Sequence, residues 1–126
     1  MSMSDYLEDK IGNVLLGGGT GTNFTAPSNV YVKLHTGDPG ENGTANAAGE
    51  TTRKSVTFTT SGGVNTSSTD ATWTSVSTSE TYAYVSLWDN STAGNCLGSG
   101  ALASSKAVNS GDTFTISAGN LTYTFT

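Results

Sequence analysis

The chain has 126 residues, with 10 acidic and 5 basic side chains and a formal net charge of -5. That length suits one domain around one core, and so few Lys and Arg in an acidic chain argue against a nucleic-acid partner. Only 12% of residues are charged, against roughly 25% in an ordinary globular protein, and Ser, Thr and Gly take their place.

Residues 1–10 carry polar and acidic groups and no apolar run, so neither a secretory signal nor a membrane span is expected. Ser4 to Leu16 reads as a short helix. Leu7, Ile11, Val14 and Leu15 make one apolar stripe, Ser4 suits the N-cap, and Asp5 and Glu8 suit the positive end. A helix this short is marginal alone, so the stripe is expected to dock on its own domain or on a neighbouring subunit. Gly17 to Gly21 resembles a phosphate loop only superficially. It lacks a preceding strand and a Gly-Lys-Ser/Thr ending, and reads as a linker or turn.

Val30 to His35 alternates cleanly, with Val30, Val32 and Leu34 on one face and Tyr31, Lys33 and His35 on the other. His35 is the sole histidine, and no cluster of metal-ligating residues surrounds it in sequence. Thr36 to Glu50 reads as a loop, with turns at Asp38-Pro39-Gly40 and Asn42-Gly43. One strand is expected over Thr51 to Thr60, with Val56 and Phe58 on a shared face. A polar stretch follows over Ser61 to Asp70, turning at Gly62-Gly63. A short strand then covers Ala71 to Val76, with Ala71, Trp73 and Ser75 aligned.

Tyr82 to Trp88 is the densest run of large side chains. Strict alternation puts Tyr82, Tyr84 and Trp88 on one face and Ala83, Val85 and Leu87 on the other. Both faces then need a cover. Asn95 to Ala103 reads as a weaker strand broken by Gly98 and Gly100, and Cys96 within it as a small buried apolar residue. With one cysteine there is no intrachain disulfide. Thr113 to Ser117 and Leu121 to Phe125 read as a closing hairpin around Ala118-Gly119-Asn120.

One helix and seven or eight short strands predict an all-β fold, an antiparallel β-sandwich or jelly-roll-like domain with a short N-terminal helix. Residues 1–23 form the helix and a glycine-rich arm, and residues 24–126 the β-sandwich. A surface poor in long charged side chains loses little rotamer entropy on burial, which suits an assembly protein. It suits equally an all-β domain with Thr on its solvent faces. The aromatics and acids show no pair of carboxylates placed for glycoside hydrolysis, and no Gly-x-Ser-x-Gly elbow appears. No catalytic residue, cofactor or metal is expected.

Several stretches together resemble a family of small tailed-bacteriophage virion proteins, commonly labelled tail-fibre or minor structural proteins. They are Ser4-Asp5-Tyr6-Leu7-Glu8-Asp9-Lys10-Ile11, Pro27 to Leu34 with Thr36-Gly37-Asp38-Pro39-Gly40, and Arg53 with Val56-Thr57-Phe58. Val85-Ser86-Leu87-Trp88-Asp89 and Gly100-Ala101-Leu102 through Thr113-Phe114 continue the match, which ends at Ala118-Gly119-Asn120-Leu121. The resemblance implies a structural role and no catalytic residues. Two settings on the particle follow from it. The first is a capsid decoration or cement protein, bound between subunits of the major capsid protein. The alternative is a fibre-associated or baseplate adaptor bound to tail proteins. A carbohydrate-binding receptor module comes third, and would set an exposed Tyr or Trp beside convergent Asp and Asn. A homo-oligomer on the particle is expected, with no nucleic acid and no membrane. The expected contact residues are Leu7, Ile11, Leu15, Gly19, Thr22, Phe24 and Asp38. Residues 17–24 are the first choice of contact arm, and the loop from Thr36 to Glu50 the second.

Overall fold

The computed structural model describes residues 1–16 and 25–124. Strand β1 (Ser2–Met3) precedes helix α1 (Asp5–Leu16). Between them, the Ser4 hydroxyl accepts the Leu7 N–H at 3.2 Å and donates to the Cys96 carbonyl. One side chain thus caps the helix and ties it to the body. The remaining strands are β2 (Val30–His35), β3 (Lys54–Val56), β4 (Phe58–Ser61), β5 (Val64–Ser67), β6 (Ala71–Trp73) and β7 (Glu80–Trp88). Then come β8 (Cys96–Val108), β9 (Phe114–Ile116) and β10 (Thr122–Thr124).

Five strands form one sheet in the order β1-β8-β7-β2-β3, three form β10-β5-β4, and β6 pairs with β9. Every pairing is antiparallel. This is a mostly antiparallel β fold with one short N-terminal helix. Among the described residues no strand order closes on itself, so the jelly-roll form finds no support in the topology.

The centre is the pair β2–β7, where Val32 stands opposite Leu87 and Leu34 opposite Val85. All four are buried in one core with Trp73, Phe114, Ile116, Leu121 and Tyr123 from the smaller sheets and their connections. The Phe114 ring lies 5.9 Å from Trp73 and 5.1 Å from Tyr82 between centroids, both tilted. Each large apolar side chain removed from water contributes about 1.5–3 kcal/mol, so this layer is the main favourable term.

Four expectations are corrected. Tyr82 does not share a face with Tyr84 and Trp88. It is fully buried in the core beside Val85 and Leu87. The pairing of β7 with β8 slips here: Tyr82 opposes Lys106, yet Tyr84 opposes Ala101. Leu102 to Ser105 therefore bow out against Ala83 alone, and the bulge resets the alternation. Second, the expected strand over 51–60 is two strands in two sheets. The chain changes sheet at Thr57, whose N–H is held by Thr69 Oγ1 at 3.0 Å and whose carbonyl accepts from Ser68 at 2.8 Å. Val56 and Phe58 still both reach the core.

Third, the polar stretch after Ser61 contains β5. Gly62 and Gly63 both have positive φ and form a two-residue hairpin turn, with Ser61 opposite Val64. Fourth, the closing pair of strands is not a hairpin. Its turn exists, with Asn120 bonded back to Ser117 at 3.1 Å. However, the buried Ser67 hydroxyl accepts the Gly119 and Leu121 N–H groups, and Asp70 accepts that of Ala118. These bonds spread the arms, so β9 joins β6 and β10 joins β5.

Smaller differences follow the same logic. Ser75 leaves the Ala71–Trp73 face, being exposed with φ of 51°. The glycine-interrupted stretch after Asn95 is one continuous strand of 13 residues. A Cβ on Gly98 would stand 2.5 Å from the Ser2 carbonyl oxygen and from Tyr123. Glycine there marks the close approach of β1 and the Tyr123 ring.

The two core tyrosines predict opposite responses. The Tyr123 hydroxyl donates to the Leu97 carbonyl at 2.9 Å. The Tyr82 hydroxyl is buried without a partner among the described residues, and burial pushes its pKa up to about 12. Tyr123→Phe should lower stability by about 1 kcal/mol, whereas Tyr82→Phe should leave it unchanged or raise it. Urea denaturation measures both. An equal loss in the two variants would contradict the assignment.

Candidate interaction surface

The outer face of the large sheet carries a polar group beneath a loop. His35 and Ser86 lie on the neighbouring strands β2 and β7, and both are fully buried. His35 Nε2 is 2.7 Å from Ser86 Oγ, and Nδ1 is 2.9 Å from the Ala45 carbonyl. Trp88 Nε1 donates to the same Ser86 oxygen at 2.7 Å. A consistent set of donors follows. Nδ1–H donates to Ala45, the Ser86 hydroxyl donates to Nε2, and Trp88 donates to Ser86. Burial, with the nearby Lys33 and Arg53 charges, holds the His35 pKa below its ordinary 6.5 and keeps the ring neutral. A Ser–His pair at this distance resembles half of a nucleophilic triad. Here Nδ1 meets a carbonyl in place of a carboxylate, and neither side chain is exposed. The group acts as the polar seam between sheet and loop.

Residues 36–50 form that loop. Thr36 N–H bonds the Asn46 carbonyl at 2.9 Å, Ala48 N–H bonds Leu34 at 3.1 Å, and Ala47 bridges His35. Gly43 has φ of 68° and backs onto Cys96 and Trp88, leaving no space for a Cβ. Pro39 is fully buried. Cys96 is buried as its sequence context implies, and burial raises its thiol pKa. The loop's far end is held by two carboxylates. Glu80 accepts the Gly49 and Glu50 N–H groups at 2.9 and 3.1 Å. Glu50 accepts those of Thr52 and Ser77 at 3.2 and 3.1 Å. Burial alone would raise the Glu50 pKa, but these donors hold it below its ordinary 4.5. Arg53 lies 3.9 Å over the Trp88 ring and donates to the Asn90 and Ala93 carbonyls, fixing the next loop.

The helix end is where apolar surface stays open. No α1 residue is fully buried. Leu7 packs against the core and lines an apolar cleft of about 180 Å³ with Val30, Phe58, Leu87, Leu97 and Tyr123. Ile11 is half-buried. Val14, Leu15 and Leu16 are 50%, 73% and 85% exposed. The stripe therefore divides: its first part serves the domain and its last turn does not. Asp38 is exposed at the loop tip, where its carboxylate accepts the Gly40 N–H at 2.9 Å and its carbonyl accepts from Asn46. Its side chain stabilises a turn. Gly19, Thr22 and Phe24 lie outside the described residues.

Sequence reasoning passed over Ser86, Glu50 and Glu80. Ser86 carried one usable signal, a small polar residue inside an apolar strand. The two carboxylates act on loop N–H groups far away in sequence, and nothing local marks them. Among the described residues no group of three or more His, Cys, Asp or Glu could hold a metal ion. No helix among them is long and apolar enough to cross a membrane.

A family model described as Podophage GP4 fiber I protein gp80 matches residues 2–124. No curated protein matches the chain.

Two acid transitions are expected. Neutral His35 contributes stability that is full above pH 6.5 and declines as the pH falls toward its lower folded-state value. The Glu50 contribution is full above pH 4.5 and is lost further into acid. Urea midpoints at pH 7.5, 6.5, 5.5 and 4 should fall in two stages. His35→Gln should remove the upper stage and Glu50→Gln should blunt the lower one. An unchanged upper stage in His35→Gln would assign it to another group.

Proposed function

We propose, from the premise that this chain belongs to the Podophage GP4 fiber I protein gp80 family, that it serves in the phage tail as a fibre-associated component. Membership makes it a phage virion structural protein without a catalytic role. The observation that carries the tail placement is the fibre description of a family model spanning residues 2–124. It favours the tail over the capsid-cement position that the sequence suggested first.

The exposed apolar surface supports the same reading. Cement bridging several capsid subunits needs a broad, flat contact. Here exposed Val14, Leu15 and Leu16 make an apolar knob of one helical turn at the end of α1. Such a knob suits insertion into a neighbouring protein of the same particle, with burial of about 25 cal/mol per Å² as the driving force. Within the arm of residues 1–23, Leu15 is thus the contact residue we favour. Leu7 serves the domain's own packing, and Ile11 lies between the two. Assembly of several copies around the tail would add stability by mass action.

Cryo-electron microscopy of the intact particle tests the placement. Density for this chain on the tail is expected, and density bridging capsid subunits would overturn the proposal. A second test targets the knob. The exposed pair Leu15→Ser and Leu16→Ser should change the free protein's stability by no more than about 0.5 kcal/mol, yet abolish incorporation into particles. Normal incorporation of this variant would remove the knob from the contact.

A further inference from the structure

Asn42 is the one asparagine of the chain that a glycine follows, Gly43. Such a pair carries a reaction of its own that needs only water. The backbone nitrogen of the second residue gives its proton to solvent and attacks the side-chain carbonyl carbon of the first. A C–N bond forms, the side-chain nitrogen leaves as ammonia, and a five-membered succinimide remains. Water then opens the ring at either carbonyl. One opening gives aspartate. The other gives isoaspartate, whose main chain runs through the former side chain and is one carbon longer. A following glycine permits the attack best, because no Cβ crowds its nitrogen and its backbone is the least restricted.

The fold leaves one half of this reaction open and blocks the other. Asn42 is exposed and its side chain makes no hydrogen bond among the described residues, so the amide carbon is accessible. The attacking nitrogen is engaged. Gly43 N–H donates to the Gly40 carbonyl at 3.0 Å. A hydrogen bond made by the protonated form favours that form, so the acceptor keeps the proton on nitrogen. The turn is also braced. The Asp38 carboxylate accepts the Gly40 N–H at 2.9 Å, the Pro39 carbonyl accepts the Ala45 N–H at 3.0 Å, and Pro39 is fully buried. Attack therefore waits for the turn to open. Its rate is that of an unfolded chain scaled by the fraction of time spent open.

The two products meet different fates in this fold. Aspartate keeps the main-chain length and places its carboxylate in solvent beside Glu41, which is itself exposed. Isoaspartate adds a carbon to the main chain directly before Gly43, and Gly43 has no slack. A Cβ there would stand 2.6 Å from Cys96 Sγ and 3.0 Å from the Trp88 ring. The lengthened turn cannot return Gly43 to that seat without overlap. Beneath it lies Cys96, the sole cysteine, which is buried.

We propose that Asn42–Gly43 is a self-modification site gated by its own turn, and that isoaspartate formation there unseats Gly43 and uncovers Cys96. Each opening of the turn then risks a one-way step that leaves the 36–50 loop unable to close over the sheet. This inference goes beyond the tail placement and stands wherever the chain sits on the particle.

The full chain is held in mildly alkaline buffer, native and in urea, and conversion at Asn42 is followed by mass spectrometry. Native conversion should be slower than in urea by at least about tenfold, and by the same factor that protects the Gly43 amide from hydrogen exchange. Asp38→Ala removes a brace and should speed native conversion without changing the rate in urea. Chain converted in urea is then refolded, separated into its aspartate and isoaspartate forms, and treated with iodoacetamide. Cys96 of the isoaspartate form should react at least about tenfold faster than in the unmodified chain. Asn42→Asp, and Asn42→Gln carried through urea, should react as slowly as the unmodified chain. Near-ultraviolet circular dichroism of the buried aromatic core should be retained throughout. Native conversion as fast as in urea would overturn the gate. A Cys96 that stays slow in the isoaspartate form, or a loss of the core signal with it, would overturn the local uncovering.

Discussion

Strand β7 is covered on both faces, and most of the molecule is arranged to supply those covers. On one side Val85 and Leu87 meet Val32 and Leu34 in an apolar layer that the smaller sheets close. On the other, Ser86 joins His35 and Trp88. Closing that second face with a loop in place of a sheet is what gives the polar groups their role. A loop brings backbone carbonyls and N–H groups to the interface, and those need partners once water is excluded. His35 answers the Ala45 carbonyl, and Ser86 satisfies both His35 and Trp88. The polar seam is thus a consequence of covering a sheet with irregular chain.

The same constraint explains the carboxylates. A long loop lying on a sheet costs conformational entropy along its length. Glu80 and Glu50 recover part of it by gathering N–H groups at 49, 50, 52 and 77. Arg53 does so for the next loop by joining the Trp88 ring to two carbonyls. Two loops pinned this way, with the helix start that Ser4 ties to β8, surround a cleft of about 260 Å³. The helix's last turn receives no such support, and its apolar residues stay open to a neighbour.

Much of the secondary structure was legible because it depends on local pattern. The alternation from Val30 to His35, the capped helix, and the turn at Asp38-Pro39-Gly40 all use short-range chemistry. The errors share a cause. Thr69, Ser67 and Asp70 look like ordinary polar residues of a Thr-rich chain. Each captures backbone groups distant in sequence and so decides which sheet a neighbouring segment joins. Strict alternation failed at Tyr82 for a related reason. The bulge that reverses it lies in β8, on the partner strand, where Leu102 to Ser105 bow out opposite Ala83.

The sequence by itself determined the class of the protein: an antiparallel β domain with one short helix, poor in charge, with Cys96 buried. Alternation, turn residues and composition act over a few positions and are visible in one dimension. It also carried the family resemblance, since the matching stretches are those same turns and strands. Tertiary structure alone decided the three sheets and their strand orders, and the partnership of His35 with Ser86. It alone divided the helix stripe into a docked part and an open end, and drew Tyr6 to Glu41 and Asn42. Those outcomes depend on which distant segments meet. That is set by the total burial and hydrogen bonding of the whole chain, and no local window contains it.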